Sequence, residues 1–263
     1  MPKSATGKIP VVLIIGGYGQ IDRDGNGPTM NNNVYKLLAT DLGKNGIASL
    51  RYDKRMIGQS VSLTKETDMR FDDYIDDAFS LINMLSSDAR FSKIVVFGHG
   101  QGALVGMIAS TNENVKEYIS AEGSSVTADK VLTEQINKTY PKYIADSFKG
   151  VLDTLRRGKI NYKVDPALYP VARPSLQNYI LTWWRFDPQA EIKKVKVPIL
   201  IINGTTDLLF DVTNAEKLKK NKANSLVIIT NMNYVLKDAP ADKDKNTATY
   251  TNPDLPLKPE LIT

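Results

Sequence analysis

The chain has 263 residues, 42% of them apolar and 24% charged, enough for one large α/β domain with an insertion and close to the average for a water-soluble globular protein. Its formal net charge of +5 is mild, and Lys and Arg are scattered apart from Lys193-Lys194 and the run Lys217, Lys219, Lys220 and Lys222, a solvated helix face rather than a nucleic-acid surface. There is no cysteine, which excludes disulfides, thiolate nucleophiles and Cys-based metal sites.

The opening residues MPKSATGK hold no apolar signal segment, and no apolar run approaches membrane-spanning length. The expectation is a soluble chain, cytoplasmic where it is made; a processed form of an exported precursor reads the same way. Val11–Ile15 is a continuous apolar run, hence a strand buried on both faces, and it ends in Gly16-Gly17-Tyr18-Gly19. In the turn-rich loop that follows, Asp22, Asp24 and Asn26 resemble a calcium loop only faintly. The twelfth position falls on Asn33 instead of a bidentate Glu, so turn hydrogen bonding is expected.

Helices are predicted over Val34–Leu42 and Phe71–Ser86, the second with Asp72, Asp73, Asp76 and Asp77 near its start, which suits the helix dipole. Between them Ile47–Tyr52 reads as a strand, ending in Asp53-Lys54-Arg55-Met56-Ile57-Gly58. A weaker strand signal covers Ile119–Gly123. From Ser124 to Asp187 the strand pattern gives way to helical spacing, and Tyr179, Ile180, Trp183 and Trp184 close the stretch. These residues form a predicted helical lid (124–187) inserted into a core of residues 1–123 and 188–263, with core packing the favoured role of the lid aromatics over lining a pocket. Strands return at Val197–Ile202 and Ser225–Ile229, flanking a helix at Asn214–Lys222. After Lys237 the Pro-, Asp- and Lys-rich tail reads as loop, up to a further helix beginning near Pro259. Alternating βα units predict a mostly parallel sheet covered on both faces.

The chain is organised around Ile94–Ala109, IVVFGHGQGALVGMIA. A buried strand runs into Gly98, Gly100 and Gly102, and then into a helix of small and apolar residues. Strand, sharp glycine turn and buried helix make the geometry of a nucleophile elbow, G-x-S-x-G. Gly100, however, stands where the attacking serine belongs.

With LIIGGYGQIDRDGNGP, RYDKRMIGQS, VVFGHGQGALVGMIA, INGTTD and NMNYVLK in this order, the chain resembles the α/β-hydrolase superfamily, in a bacterial esterase or serine aminopeptidase-like branch. The resemblance implies an α/β-hydrolase fold with an inserted lid and a final helix largely absent here. It puts Gly100 at the nucleophile position, Asp207 at the acid and Tyr234 at the base, with oxyanion amides from Tyr18 and Gln101. Of the triad only Asp207 keeps its identity. His99 is the sole histidine. It lies beside the nucleophile position, where a structural role is favoured over a catalytic one.

Tyr18, Gln20, Met56, His99 and Leu209 are the candidate ligand-binding residues. Tyr18 and Gln20 replace the small residues and proline the family carries there, Met56 replaces its glycine, and Leu208-Leu209-Phe210 makes the acid loop apolar. These departures collect at strand ends, where an α/β sheet forms its pocket, which favours a redesigned or repurposed pocket over a natural lineage that drifted locally. Three functions follow: a pocket for a small, partly aromatic ligand, residual ester hydrolysis through Asp207-activated water, or a non-catalytic binding protein. Neither a metal nor a nucleotide or flavin cofactor is expected, since no G-x-G-x-x-G fingerprint is present, and the oligomeric state is left open.

Overall fold

The computed structural model describes residues 1–2, 7–62, 64–220 and 225–262. The main sheet is six-stranded and parallel throughout. It comprises β1 (Ile9–Ile15), β4 (Ala48–Arg51), β5 (Phe91–His99), β6 (Val115–Ala121), β7 (Ile199–Gly204) and β8 (Ser225–Ile229), in the order β4-β1-β5-β6-β7-β8. Two further strands, β2 (Asn26–Gly27) and β3 (Met30–Asn31), form a short antiparallel hairpin in the loop after β1. Asp22 organises that loop by accepting the Asp24 and Asn26 N–H groups, an Asx turn of the kind expected.

The continuous apolar runs are explained by burial on both faces. Along β1, Val11, Leu13 and Ile15 point to one side and Val12 and Ile14 to the other, the two-residue period of a strand. The second face is covered by α1 (Val34–Lys44) through Val34, Tyr35 and Leu38. The first is covered by α2 (Phe71–Ser86) and α3 (Gln101–Ala109). In α3 every residue except Ile108 is buried, so the helix carries no polar face.

The stretch 124–187 folds as α4 (Ala128–Thr139), α5 (Lys142–Arg156), α6 (Tyr169–Ala172) and α7 (Gln177–Trp183). Beyond it come α8 (Pro188–Glu191), α9 (Val212–Lys220) and α10 (Lys243–Ala248). The aromatic residues of α7 pack inward: Trp183 stacks on Phe71 at 5.9 Å and on Tyr18 at 5.3 Å between ring centroids. Lid and sheet therefore share one apolar core.

Several element boundaries move. Strand β6 begins at Val115, ahead of the predicted Ile119, because Lys116 and Glu117 face outward and mask the strand pattern. Helix α9 starts at Val212, and Lys222, part of its predicted end, lies outside the described residues. The tail after Lys237 is not all loop. Asp242 caps α10 by accepting the Lys245 N–H, and short 3-10 turns cover Thr249–Thr251 and Pro259–Leu261. Among the described residues no helix is long and apolar enough to cross a membrane.

Candidate functional site

The strand order sets the location. From β1 the chain goes to β4 on one side and then to β5 on the other, so the sheet switches direction between β1 and β5, and a crevice opens beyond their carboxyl ends. Gly16–Gln20 leave β1 there and His99–Gln101 leave β5. Gly102 lets the two segments touch: a Cβ at that position would strike the carbonyl oxygens of Ile15 and Gly16. At Gly100 the backbone takes φ 55° and ψ −116°, the strained turn of an elbow, which a residue with a side chain adopts only at a cost.

The Tyr234 hydroxyl fills the space above this turn. A Cβ on Gly100 would collide with it, and one on Gly17 would lie 2.5 Å away. Tyr234 is thus a fixed post between the β1 loop and the elbow. Its neighbours Met232, Asn233, Val235 and Leu236 are buried, and Asn231 and Leu236 hold left-handed backbone at either end of the segment. Burial pushes the Tyr234 phenol well above its ordinary range, with Tyr35, Asp207, Tyr250 and Glu122 adding to the effect. The hydroxyl is therefore neutral.

His99 lies behind this post. It is buried, its Nδ1 is 2.8 Å from the Tyr35 hydroxyl, and its Nε2 is 2.7 Å from the Tyr234 carbonyl. A carbonyl only accepts, so Nε2 carries the proton and Nδ1 accepts from Tyr35, whose oxygen accepts in turn from the Gly17 N–H at 2.8 Å. Burial lowers the imidazole to about 4, with the Tyr234 carbonyl opposing. The sole imidazole thus joins the β1 loop, α1, the elbow and the 231–236 segment.

In front of the post is a pocket of about 130 Å³, comparable with cavities that admit one small aromatic ring. Tyr18, Gly100, Gln101, Leu209 and Tyr234 line it, together with Leu104, Leu132, Trp183 and Phe210. Burial raises the Tyr18 phenol to about 12, so it too is neutral. Gln101 opens α3, where the first N–H groups have no acceptor within the helix. The loop carrying Tyr18 is fastened by Lys54, whose buried ammonium donates to the Gly17 and Gly19 carbonyls and stands 5.5 Å from the Tyr74 ring. Burial lowers this amine to about 7.

Three predicted ligand contacts lie elsewhere. Met56 is 44% exposed with φ 66°, and Gln20 is exposed too; neither lines the pocket. Gln20 lies on a bend and Met56 on a turn, and proximity in sequence to the β1 and β4 ends did not bring either side chain into the pocket lining. His99 is turned away from the pocket by the hydrogen bonds above. Asp207 follows β7 and lines an adjoining cavity of about 200 Å³ instead of the one at Gly100, although the two share Val131, Leu209 and Phe210 as a wall. Its Oδ1 accepts the Leu209 N–H at 2.6 Å, and burial raises the carboxyl to about 6.

Sequence reading missed Glu122, a fully buried acid at the end of β6, and Lys54, because a charged residue at a strand end is normally solvated. It also favoured the core for Trp183, which serves both core and pocket.

A parallel sheet with this strand order, an elbow at the switch point and a helical stretch over its mouth define an α/β-hydrolase fold. In sequence and fold the chain is similar to proteins of an esterase-like branch of the α/β-hydrolases. Residues 26–121 match the serine aminopeptidase (S33) family. Esterase EstD of Thermotoga maritima is 27% identical over 214 residues, 79% of this chain and 48% of that protein, so the chain spans about half the length of this curated relative. Among solved structures, Est1E from Butyrivibrio proteoclasticus with ferulic acid bound superposes with a TM-score of 0.62 at 19% identity, covering 95% of this chain and 88% of that one. The α/β hydrolase GrgF from Penicillium sp. sh18 gives 0.62 at 14%, covering 89% and 84%. At such identities the structures share the fold.

Proposed function

We propose that this chain is an esterase-like scaffold whose pocket is repurposed to bind a small, partly aromatic ligand by shape, apolar contact and neutral hydrogen bonds, without a serine triad. One observation carries the reading: the Tyr234 hydroxyl takes up the space a side chain at position 100 needs. Triad hydrolysis requires a nucleophilic oxygen and a base poised near neutral pH. Position 100 supplies no oxygen, and position 234 supplies a phenol raised above its ordinary range. The wall of Leu104, Leu132, Trp183 and Phe210 suits an aromatic ring, while Tyr18 and Tyr234 offer hydroxyls to a polar edge. The fold-level likeness to Est1E makes hydroxycinnamates sensible first probes.

Calorimetry with ferulate, its methyl ester and simple phenols tests this reading. Saturable binding that Trp183→Ala weakens is the expected outcome, and no binding by any of them counts against it. A fluorophosphonate probe should leave every serine unlabelled; a single covalent serine adduct overturns the reading. Asp207, raised towards neutral pH, favours a second activity, slow ester hydrolysis through activated water. Loss of p-nitrophenyl acetate turnover in Asp207→Asn is its test.

A further inference from the structure

The carboxyls at the ends of β6 and β7 each have one oxygen held by a backbone amide and one left over. Glu122 is fully buried. Its Oε1 accepts the Gly204 N–H at 2.8 Å, and its buried Oε2 has no N–H donor among the described residues. Asp207 repeats the arrangement, with Oδ1 on the Leu209 N–H and Oδ2 buried without such a donor. The two leftover oxygens are both buried without a partner at the ends of neighbouring strands, and each carboxyl shifts the titration of the other. Two carboxylates have no proton to share, so a hydrogen bond between these oxygens requires one carboxyl to be protonated. One proton between Oε2 and Oδ2 satisfies both leftover atoms at once.

We infer that Glu122 is the positioning residue for Asp207: a buried carboxylic acid whose O–H donates to the Asp207 carboxylate and fixes it where an imidazole N–H would hold the acid of a serine triad. The proton belongs on Glu122 because its surroundings oppose charge more strongly. Burial, with Asp207 beside it, drives Glu122 well above the usual carboxylate range, whereas Asp207, eased by Glu122 and by the Leu209 and Phe210 amides, reaches about 6. At neutral pH the pair therefore carries one negative charge.

The other titratable groups facing the pair are few. Asp211 on the acid loop raises Asp207, and the Tyr234 and Tyr250 phenols are neutral. Across the adjoining cavity stand Lys217 and the Glu134–Lys138 ion pair of 2.6 Å. The sole imidazole serves the Tyr234 carbonyl instead. With Oδ2 engaged by Glu122 and Oδ1 by a backbone amide, the Asp207 carboxylate is held in one orientation. This assignment does not depend on which ligand the pocket takes.

Glu122→Gln is the decisive variant, because a glutamine offers its oxygen to the Gly204 N–H and its NH₂ to Asp207, reproducing the protonated acid atom for atom. The sign follows from linkage. An acid raised in the folded state stabilises the protein at low pH and loses that contribution as pH rises towards its folded value. The melting temperature of Glu122→Gln minus that of the wild type should therefore grow between pH 7 and pH 9, reaching a few degrees. Taking the difference cancels the slopes of His99 and Lys54. Glu122→Ala, which loses the donor, should melt below Glu122→Gln at every pH. In the unaltered protein, ¹³C NMR of labelled glutamate carboxyls should show one Glu still protonated at pH 7. A pH-independent difference, a Gln variant no better than Ala, or fully ionised glutamates at pH 7 would overturn the assignment.

Discussion

The Tyr234 hydroxyl and the missing side chain of Gly100 compete for one volume, and the phenol holds it. The two positions should therefore be energetically coupled. Gly100→Ser in the native background meets both the left-handed turn and the phenol, at roughly 2–5 kcal/mol. With Tyr234→His also present only the backbone strain is left, roughly 1–3 kcal/mol. Urea unfolding of the four species of the cycle measures the coupling; equal costs in both backgrounds would show that the phenol does not occupy that space. Esterase turnover on p-nitrophenyl acetate should rise well above that of the unaltered protein in the double variant and in neither single one, since nucleophile and base act as a unit.

His99 should make the protein sensitive to acid. A buried imidazole lowered to about 4 in the folded chain, against about 6.5 unfolded, leaves full stability above the unfolded value and loses it as pH falls through that window. The difference is worth roughly 3 kcal/mol. His99→Gln, which does not titrate, should show a shallower decline of melting temperature between pH 6.5 and 4 than the wild type. Parallel declines would place the acid-sensitive group elsewhere.

At Met56 the backbone takes a conformation suited to glycine, while the side chain stands in solvent. Met56→Gly should therefore stabilise the fold, by roughly 0.5–1.5 kcal/mol, the relieved left-handed strain outweighing the added chain entropy. Affinity for a pocket ligand should be unchanged, and a clear drop in calorimetry would mean that Met56 reaches the ligand after all.

Lys54→Met keeps the aliphatic stem but removes the donor from the Gly17 and Gly19 carbonyls, costing about 1–3 kcal/mol. The amine is lowered in the folded protein, so its contribution grows as pH climbs from about 7 towards its unfolded value. The stability gap between wild type and variant should widen across that range. Weaker ligand binding should accompany it, because the loop carrying Tyr18 loses its fastening. A constant gap would mean that the amine does not titrate there.

The fold was legible because continuous apolar strands and glycine turns are local signals. Ile94–Ala109 alone gives strand, elbow and helix, and helix α2 runs over the predicted Phe71–Ser86. The pocket was legible only where position along the sheet decides, as at Tyr18, Gly100, Leu209 and Tyr234. Met56 and Gln20 escaped because side-chain direction on a turn depends on φ and ψ, which composition does not reveal. Glu122 escaped for another reason. Its burial is tolerated through a proton and a partner 85 positions away in the chain, and neither leaves a trace in the local pattern.

His99 grips residue 234 by its carbonyl, and the left-handed turns at Asn231 and Leu236 bracket the same segment. The scaffold thus holds that residue by its main chain, indifferent to the group mounted on it. Such a site behaves as a socket: exchanging what is plugged in alters the chemistry at the crevice while the frame around it stays standing, so one fold can be fitted out for cleavage or for mere embrace by changing a single insert and clearing room opposite.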